Sequence, residues 1–444
     1  MTTPIVDFVR HYRDSGARRL HMPGHKGKTR LGPEVLDITE IDRADVLYAP
    51  RGIIRESEEN AARLFGSRRT VYSCEGSSLC IRAMLFLAAQ AAREQGRVPV
   101  IAAGRNAHKV FILAAALLNL EVRWLWGHRS VLSCPVTAAE VEACLLSGDV
   151  TAVYLTSPDY LGNTVDIAAI AAVCHRHGVL LLVDNAHGAY LKFLAPSRHP
   201  LDHGADLCCD SAHKTLPVLT GGAYLHLSQN APAWLADRMD AAMELFASTS
   251  PSWLILQSLD MVNALLAGDY PACIRQTASR LDALKTRLSW DTLGDEPLKL
   301  CIRPKGRGYT GTELAALLKR QHIFCEFADP DFLVLMVTPE TSADDLDAVE
   351  RTLSEIPPRS LIETAPPVLG SPEPALNSHE ALFASCEWLP VGQCLGRVLA
   401  APTVSCPPAV PIVVSGERMD EKALALLHYY GIERCLAVKE QTGD

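Results

Sequence analysis

Between residues 50 and 210 the chain alternates two kinds of apolar pattern. Short runs without a polar face, "TVYS" (70–73), "VPVIAAG" (98–104), the start of "VTAVYLTSPDY" (150–160), "VLLLVD" (179–184) and "ADLCCD" (205–210), predict buried strands. Between them lie longer stretches with helical spacing. These are "ESEENAARLF" (56–65), stopped by Gly66, "LCIRAMLFLAAQAAREQG" (79–96) and "VFILAAALLNL" (110–120). A fourth, "IAAIAAVCHRHG" (167–178), has Asp166 as its cap and Gly178 as its stop. Strands apolar on both faces and separated by helices predict an α/β fold with a parallel sheet covered on both sides.

The second half reads differently. Residues 231–247 predict a helical stretch, followed by the apolar "SPSWLILQSLDMVNALLAG". "FLVLMVTP" (332–339) predicts a strand, and "SADDLDAVERTLSEI" a helix capped by Ser342. Residues 357–374 are proline-rich and read as a linker. The expected division is 1–250 for the N-terminal segment and large domain, 251–356 for a small α+β domain, and 375–444 for a C-terminal domain.

Composition narrows the class. Hydrophobic residues make up 48% and charged residues 21%, the balance of a soluble globular protein. A formal net charge of −9 argues against nucleic acid or an anionic membrane as the main partner. The N-terminus carries Asp7, Arg10 and Arg13 and has no long apolar core, so no signal peptide is expected. No run is long enough to cross a bilayer. The 14 cysteines are scattered without a CxxC pair, which reads as reduced, mostly buried thiols in a cytoplasmic protein rather than a disulfide framework or a metal site.

In parallel sheets ligands bind beyond the carboxyl ends of the strands. Here those ends carry Glu75-Gly76-Ser77-Ser78, Arg105-Asn106-Ala107-His108, Ser157 with Asp159, Asp184-Asn185-Ala186-His187, and Ser211, His213 and Lys214. A lysine beside apolar surface loses its proton more readily, and its amine can form a Schiff base with an aldehyde. Pyridoxal phosphate is the common cofactor that needs such a lysine. It also needs a carboxylate at its ring nitrogen, a phosphate cradle and a group against its ring. Asp184 suits the first. Gly76, Ser77 and Ser78 at a helix start, with Ser211, suit the second. His108 suits the third, and His187 could reach the phenolic oxygen. Each residue alone has an ordinary reading: a solvated turn lysine, a turn-forming aspartate, a Gly-Ser helix start, a hydrogen-bonded core histidine. Those readings leave their common position at the ends of one sheet unexplained. His175 and His177 read as residues of a helix's last turn.

The ordered motifs "HMPGHKG" (21–27), "RNAHK", "TSPDYLG", "VDNAHGAY", "SAHKTLPVLTGGAYLH" and "CPPAVPIVVSGE" resemble the Orn/Lys/Arg decarboxylases of the aspartate-aminotransferase fold. The resemblance implies a pyridoxal-phosphate-dependent transferase-like three-layer fold and decarboxylation of arginine, lysine or ornithine in polyamine metabolism. It makes Lys214 the Schiff-base lysine, Asp184 the ring-nitrogen partner and His108 the stacking group. Gly76, Ser77, Ser78, Ala186, His187 and Ser211 become cofactor-binding positions. His213 belongs to the same set, with phosphate binding or proton transfer left open. A cytoplasmic homodimer or larger homo-oligomer, without metal, is implied, and the chain resembles the short form of the family. Another reaction on the same cofactor, such as transamination, or a non-catalytic homologue, are the alternatives. The chain departs from the pattern at Glu75, at Arg51, and at Cys406 and Ala409, where Tyr and Gly are common. Asp159 and Glu417 are positional candidates for reading the substrate's distal cation, against a solvated surface role.

Overall fold

The computed structural model describes residues 1–127, 130–403 and 408–440. In chain order its elements begin with helices α1 (Pro4–Asp14) and α2 (Ile53–Phe65), strand β1 (Arg69–Ser73), α3 (Gly76–Glu94) and β2 (Val100–Gly104). There follow α4 (Lys109–Leu117), β3 (Glu121–Leu125), α5 (Ala138–Leu145), β4 (Ala152–Thr156), α6 (Ile167–Arg176), β5 (Leu180–Asp184) and β6 (Leu207–Asp210). Next come the single turn α7 (Ala212–Thr215), β7 (Ala223–Leu227), α8 (Met239–Glu244), α9 (Trp253–Leu266) and α10 (Tyr270–Arg287). The remainder is β8 (Asp291–Leu293), β9 (Lys299–Arg303), α11 (Gly311–Arg320), β10 (Phe327–Ala328), β11 (Leu333–Met336), α12 (Ala343–Glu355), α13 (Ser378–Phe383), β12 (Cys386–Pro390), β13 (Leu399–Ala401), α14 (Glu421–Tyr429) and β14 (Arg434–Val438).

The main sheet has seven strands in the order β1-β7-β6-β5-β4-β2-β3. β2 pairs in parallel with β3 and β4, and β5 pairs in parallel with β6. β7 departs from the expected parallel pattern and runs antiparallel to both β1 and β6. The reason is length: residues 211–222 hold only the turn α7, too little chain for a crossover helix back to the start of the sheet. β2 and β6 are buried at every position, as their unbroken apolar runs require. The edge strand β3 instead carries Glu121 and Arg123, charges that discourage a further strand from adding there.

The chain divides into two compact units. The first comprises Met1–Gly96 and Ile167–Arg275. In it α3 packs across β1, β7, β6 and β5, and α2 packs on β1. α1 is held by one side chain, because Asp260 accepts the backbone N–H groups of both Ile5 and Val6 at 3.0 Å. α2 starts where Asp45 accepts from Gly52 N at 2.7 Å and ends at Gly66, whose φ of +67° suits a left-handed helix stop.

The second unit comprises Arg97–Asp166 and Gln276–Asp444. Its four-stranded antiparallel sheet, β10-β11-β9-β8, packs Leu300, Ile302, Leu333 and Leu335 against α11 and α12 in one core. Its three-stranded sheet, β12-β14-β13, shares a core with α14 through Leu399, Leu426 and Cys435. Residues 360–373 contain no helix or strand. All described cysteines are free and most are buried.

Candidate active site

The end of β5 places Asp184, 3% exposed, at the start of a tight turn. Its Oδ1 accepts from Ala186 N at 3.1 Å and from the Cys209 thiol at 3.6 Å. The turn closes through Gly188 N to Asn185 O at 2.7 Å. Glycine is required at 188, since a Cβ there would lie 1.9 Å from Asn185 Oδ1. The turn aims buried His187 at the neighbouring strand end, and its Nε2 lies 3.1 Å from Lys214 Nζ.

β6 runs out at Asp210, and Ser211 opens the turn α7 that carries His213 and Lys214. Ser211 donates to Ser77 Oγ at 2.8 Å. Ser77 lies in the first turn of α3, where backbone N–H groups have no helical partner. Gly76 begins that helix with φ +70° and donates its N–H to Gly221 O at 2.7 Å. The helix start is thus bolted to the loop after α7, and its amides with the Ser77 and Ser211 hydroxyls are the groups expected of an anion cradle. His213 Nδ1 lies 3.0 Å from Gly222 O. A carbonyl only accepts, so Nδ1 carries the proton. Burial lowers the His213 pKa, outweighing that carbonyl, and the Lys214 charge lowers it further, which keeps the ring neutral at neutral pH.

Lys214, His187, Asp184, Ala186, Gly76, Ser77, Ser78, Ser211 and His213 all lie in one unit, where contacts join Lys214 to His187 and Ser211 to Ser77. His108 belongs to the second unit, where its Nδ1 caps α4 by accepting from Val110 N at 3.2 Å. The next residue, Lys109, donates its N–H to Ala409 O at 2.8 Å. Ala409 has φ +55°, a left-handed conformation that favours the glycine common at that position. Cys406 lies outside the described residues.

Glu75 does not oppose an anion in this cradle. It is exposed, and its Oε1 accepts Ser248 N at 2.7 Å. Asp159 and Glu417, expected at the surface if not at the substrate, are both 4% exposed. Glu417 Oε2 accepts both Arg105 at 2.9 Å and Val414 N at 2.8 Å, and the guanidinium neutralises the charge that would attract a substrate cation. Asp159 is engaged by Asn163 and Ser133. His175, at the end of α6, pairs with Asp206 at 3.1 Å.

Sequence reasoning missed the polar floor beneath the site. Asp210 is fully buried and lies between two fully buried imidazoles, His199 Nε2 at 2.9 Å and His226 Nε2 at 3.3 Å. Its other oxygen accepts Asn185 Nδ2 at 2.7 Å. Burial pushes the Asp210 carboxyl up, but the two histidines outweigh it and hold the group below the ordinary carboxylate range. The only signal in the sequence was a histidine inside the apolar run "AYLHL" and an aspartate closing "LCCD".

The donor set fits pyridoxal phosphate. A lysine amine rests against an imidazole, a carboxylate is buried at a strand end, and hydroxyls from two elements meet at a helix start.

Comparison with known proteins gives a consistent picture. The family model for the Orn/Lys/Arg decarboxylase major domain matches residues 3–292, and that for the family's C-terminal domain matches residues 364–437. The Bacillus subtilis protein YaaO is 29% identical over 96% of this chain and 94% of its own. Arginine decarboxylase of the same organism is 26% identical over 96% and 93%. Among solved structures, constitutive lysine decarboxylase of E. coli superposes with a TM-score of 0.78 at 17% identity, covering 99% of this chain and 82% of that one. Lysine decarboxylase A of Pseudomonas aeruginosa superposes at 0.81 with 16% identity, covering 98% and 80%. These likenesses establish the fold.

Proposed function

This chain belongs to the Orn/Lys/Arg decarboxylase family, and from that membership we propose that arginine is the basic amino acid it decarboxylates. The reaction class is the family's own, pyridoxal-phosphate-dependent removal of the α-carboxylate of a basic amino acid as carbon dioxide. The choice of arginine rests on full-length relatives named arginine decarboxylase, at 25–27% identity. We read the enzyme as a cytoplasmic homodimer that supplies an amine for polyamine formation.

The contact that carries the catalytic reading is Lys214 Nζ to His187 Nε2 at 3.1 Å, beside buried Asp184. When bound, the cofactor supplies an electron sink for the pair left on the α-carbon as carbon dioxide departs. Lys214 Nζ is the amine for its aldehyde. His187 Nε2 can take the proton that the amine must lose and return it. Asp184 would hold the proton of the ring nitrogen, and burial makes its charge count for more there. Ser77, Ser78 and Ser211, with the first amides of α3, would hold the phosphate. His213, neutral, offers Nε2 as an acceptor near Lys214.

The test is a product assay. Purified protein with added pyridoxal phosphate is given arginine, lysine and ornithine separately, and agmatine, cadaverine and putrescine are measured by mass spectrometry. Agmatine alone, abolished by Lys214→Ala, is the expected result. Another amine would correct the substrate. No amine, with cofactor visibly bound, would sink the catalytic reading.

A further inference from the structure

The second unit contains a cavity of about 540 Å³ that none of the residues assigned to the cofactor lines. Its walls are apolar, from Leu132, Phe327, Val410, Ile412 and Ile432. Tyr429 and Tyr430 add two rings at right angles with centroids 5.1 Å apart. Asp329, in the turn between β10 and β11, lines the same space and is 7% exposed.

The two oxygens of Asp329 are in different situations. Oδ1 accepts Asp331 N and Phe332 N, both at 2.7 Å, which fixes the turn. Oδ2 is buried and has no hydrogen-bond partner among the described residues. The neighbouring buried carboxylate, Asp331, is already served by Lys305 Nζ at 2.5 Å and by Tyr429 OH at 2.8 Å. Among the described residues, two buried carboxyls therefore share one ammonium, and the cluster is one positive charge short. Burial pushes Asp329 up to about 6, and Asp331 adds to the rise while Lys305 opposes it. An unpartnered carboxylate oxygen in such a place is costly, and a cation with an N–H donor removes the cost.

We infer that this cavity is a second binding site, for an aliphatic amine whose cationic end meets Asp329 Oδ2 and whose hydrocarbon chain lies along the apolar wall. The Tyr430 ring offers its face to the cation, while Tyr429 already has Lys305 Nζ 5.3 Å from its ring centroid. Glu326, exposed on the lining and bonded to Tyr160 OH at 2.8 Å, supplies a second acid for the far end of a diamine. A free α-carboxylate would meet these acids unfavourably, so the site favours an amine over the parent amino acid.

The site is tested by calorimetric titration of the full-length holoenzyme, its cofactor–lysine linkage reduced beforehand with borohydride so that the other site is closed. The probes are cadaverine and lysine, which differ only in the carboxylate. Binding is read as heat, not turnover, so failure here is separate from failure of the decarboxylase reading. Saturable binding of one cadaverine per chain is expected, with lysine weaker. Asp329→Asn should weaken cadaverine roughly tenfold or more, the size of a lost charged hydrogen bond. Ile432→Trp, which fills the cavity from a half-buried wall position, should do the same and serves if the first variant does not fold. No saturable cadaverine binding, unchanged affinity in a folded variant, or tighter binding of lysine than of cadaverine would overturn the assignment.

Discussion

Asp210 shows how much one side chain can organise. Its carboxylate binds two imidazoles and the Asn185 amide, and so joins the strand end that carries Asp184 to the one that carries Lys214. His226 passes the network on to Thr70 at 2.8 Å. Removing the carboxylate would leave the Nε2 atoms of two buried imidazoles and an amide N–H without this partner. Asp210→Ala should cost about 3–5 kcal/mol at neutral pH, measured by urea unfolding. The sign of its pH dependence follows from its direction. A carboxyl held below its ordinary value contributes its stability above the ordinary carboxylate range and loses it as pH falls through the folded-state value. The gap between wild type and variant should therefore narrow as unfolding is repeated toward acid pH. A gap that widened would mean the histidines do not hold the charge.

Elements were legible in the sequence where their signals are local. α12 declares itself through Ser342, which accepts Asp345 N at 3.1 Å while Asp345 accepts Ser342 N at 3.0 Å. Ser342→Ala should cost about 1 kcal/mol, seen as a lower denaturant midpoint without a change in slope. α5, α11 and α13 carry the same reciprocal cap. β2, β4, β5 and β6 were legible because they are buried almost throughout, whereas the charged edge strand β3 gave no such signal. β7 was harder to read. His226 breaks its apolar run, and the buried partner that makes a histidine tolerable there, Asp210, is a tertiary neighbour on β6. α1 was missed for a related reason. Its first amides are satisfied by Asp260, a residue of α9. Of the candidate site, the strand-end residues were readable because strand ends are where parallel sheets bind ligands. The floor beneath them was not, because a buried polar network has no period.

At the scale of the molecule, the segment with the "HMPGHKG" motif leaves apolar surface uncovered. Leu20 is 93% and Leu31 91% exposed. Exposed leucines in one segment suit burial against a second copy, in keeping with the homodimer proposed above. Leu31→Asp should weaken self-association roughly tenfold or more, read by sedimentation over a range of concentrations. An unchanged profile would remove this segment from the interface. The strand order has a different consequence, for the chain's synthesis. β1 ends at residue 73 and, among the described residues, pairs only with β7, which begins at residue 223. At about 5–20 residues per second, a ribosome needs roughly 8–30 s to make the intervening chain. For that time β1 has no strand to pair with, and the nascent polypeptide presents a row of unpaired backbone N–H and C=O groups to whatever meets it at the tunnel exit.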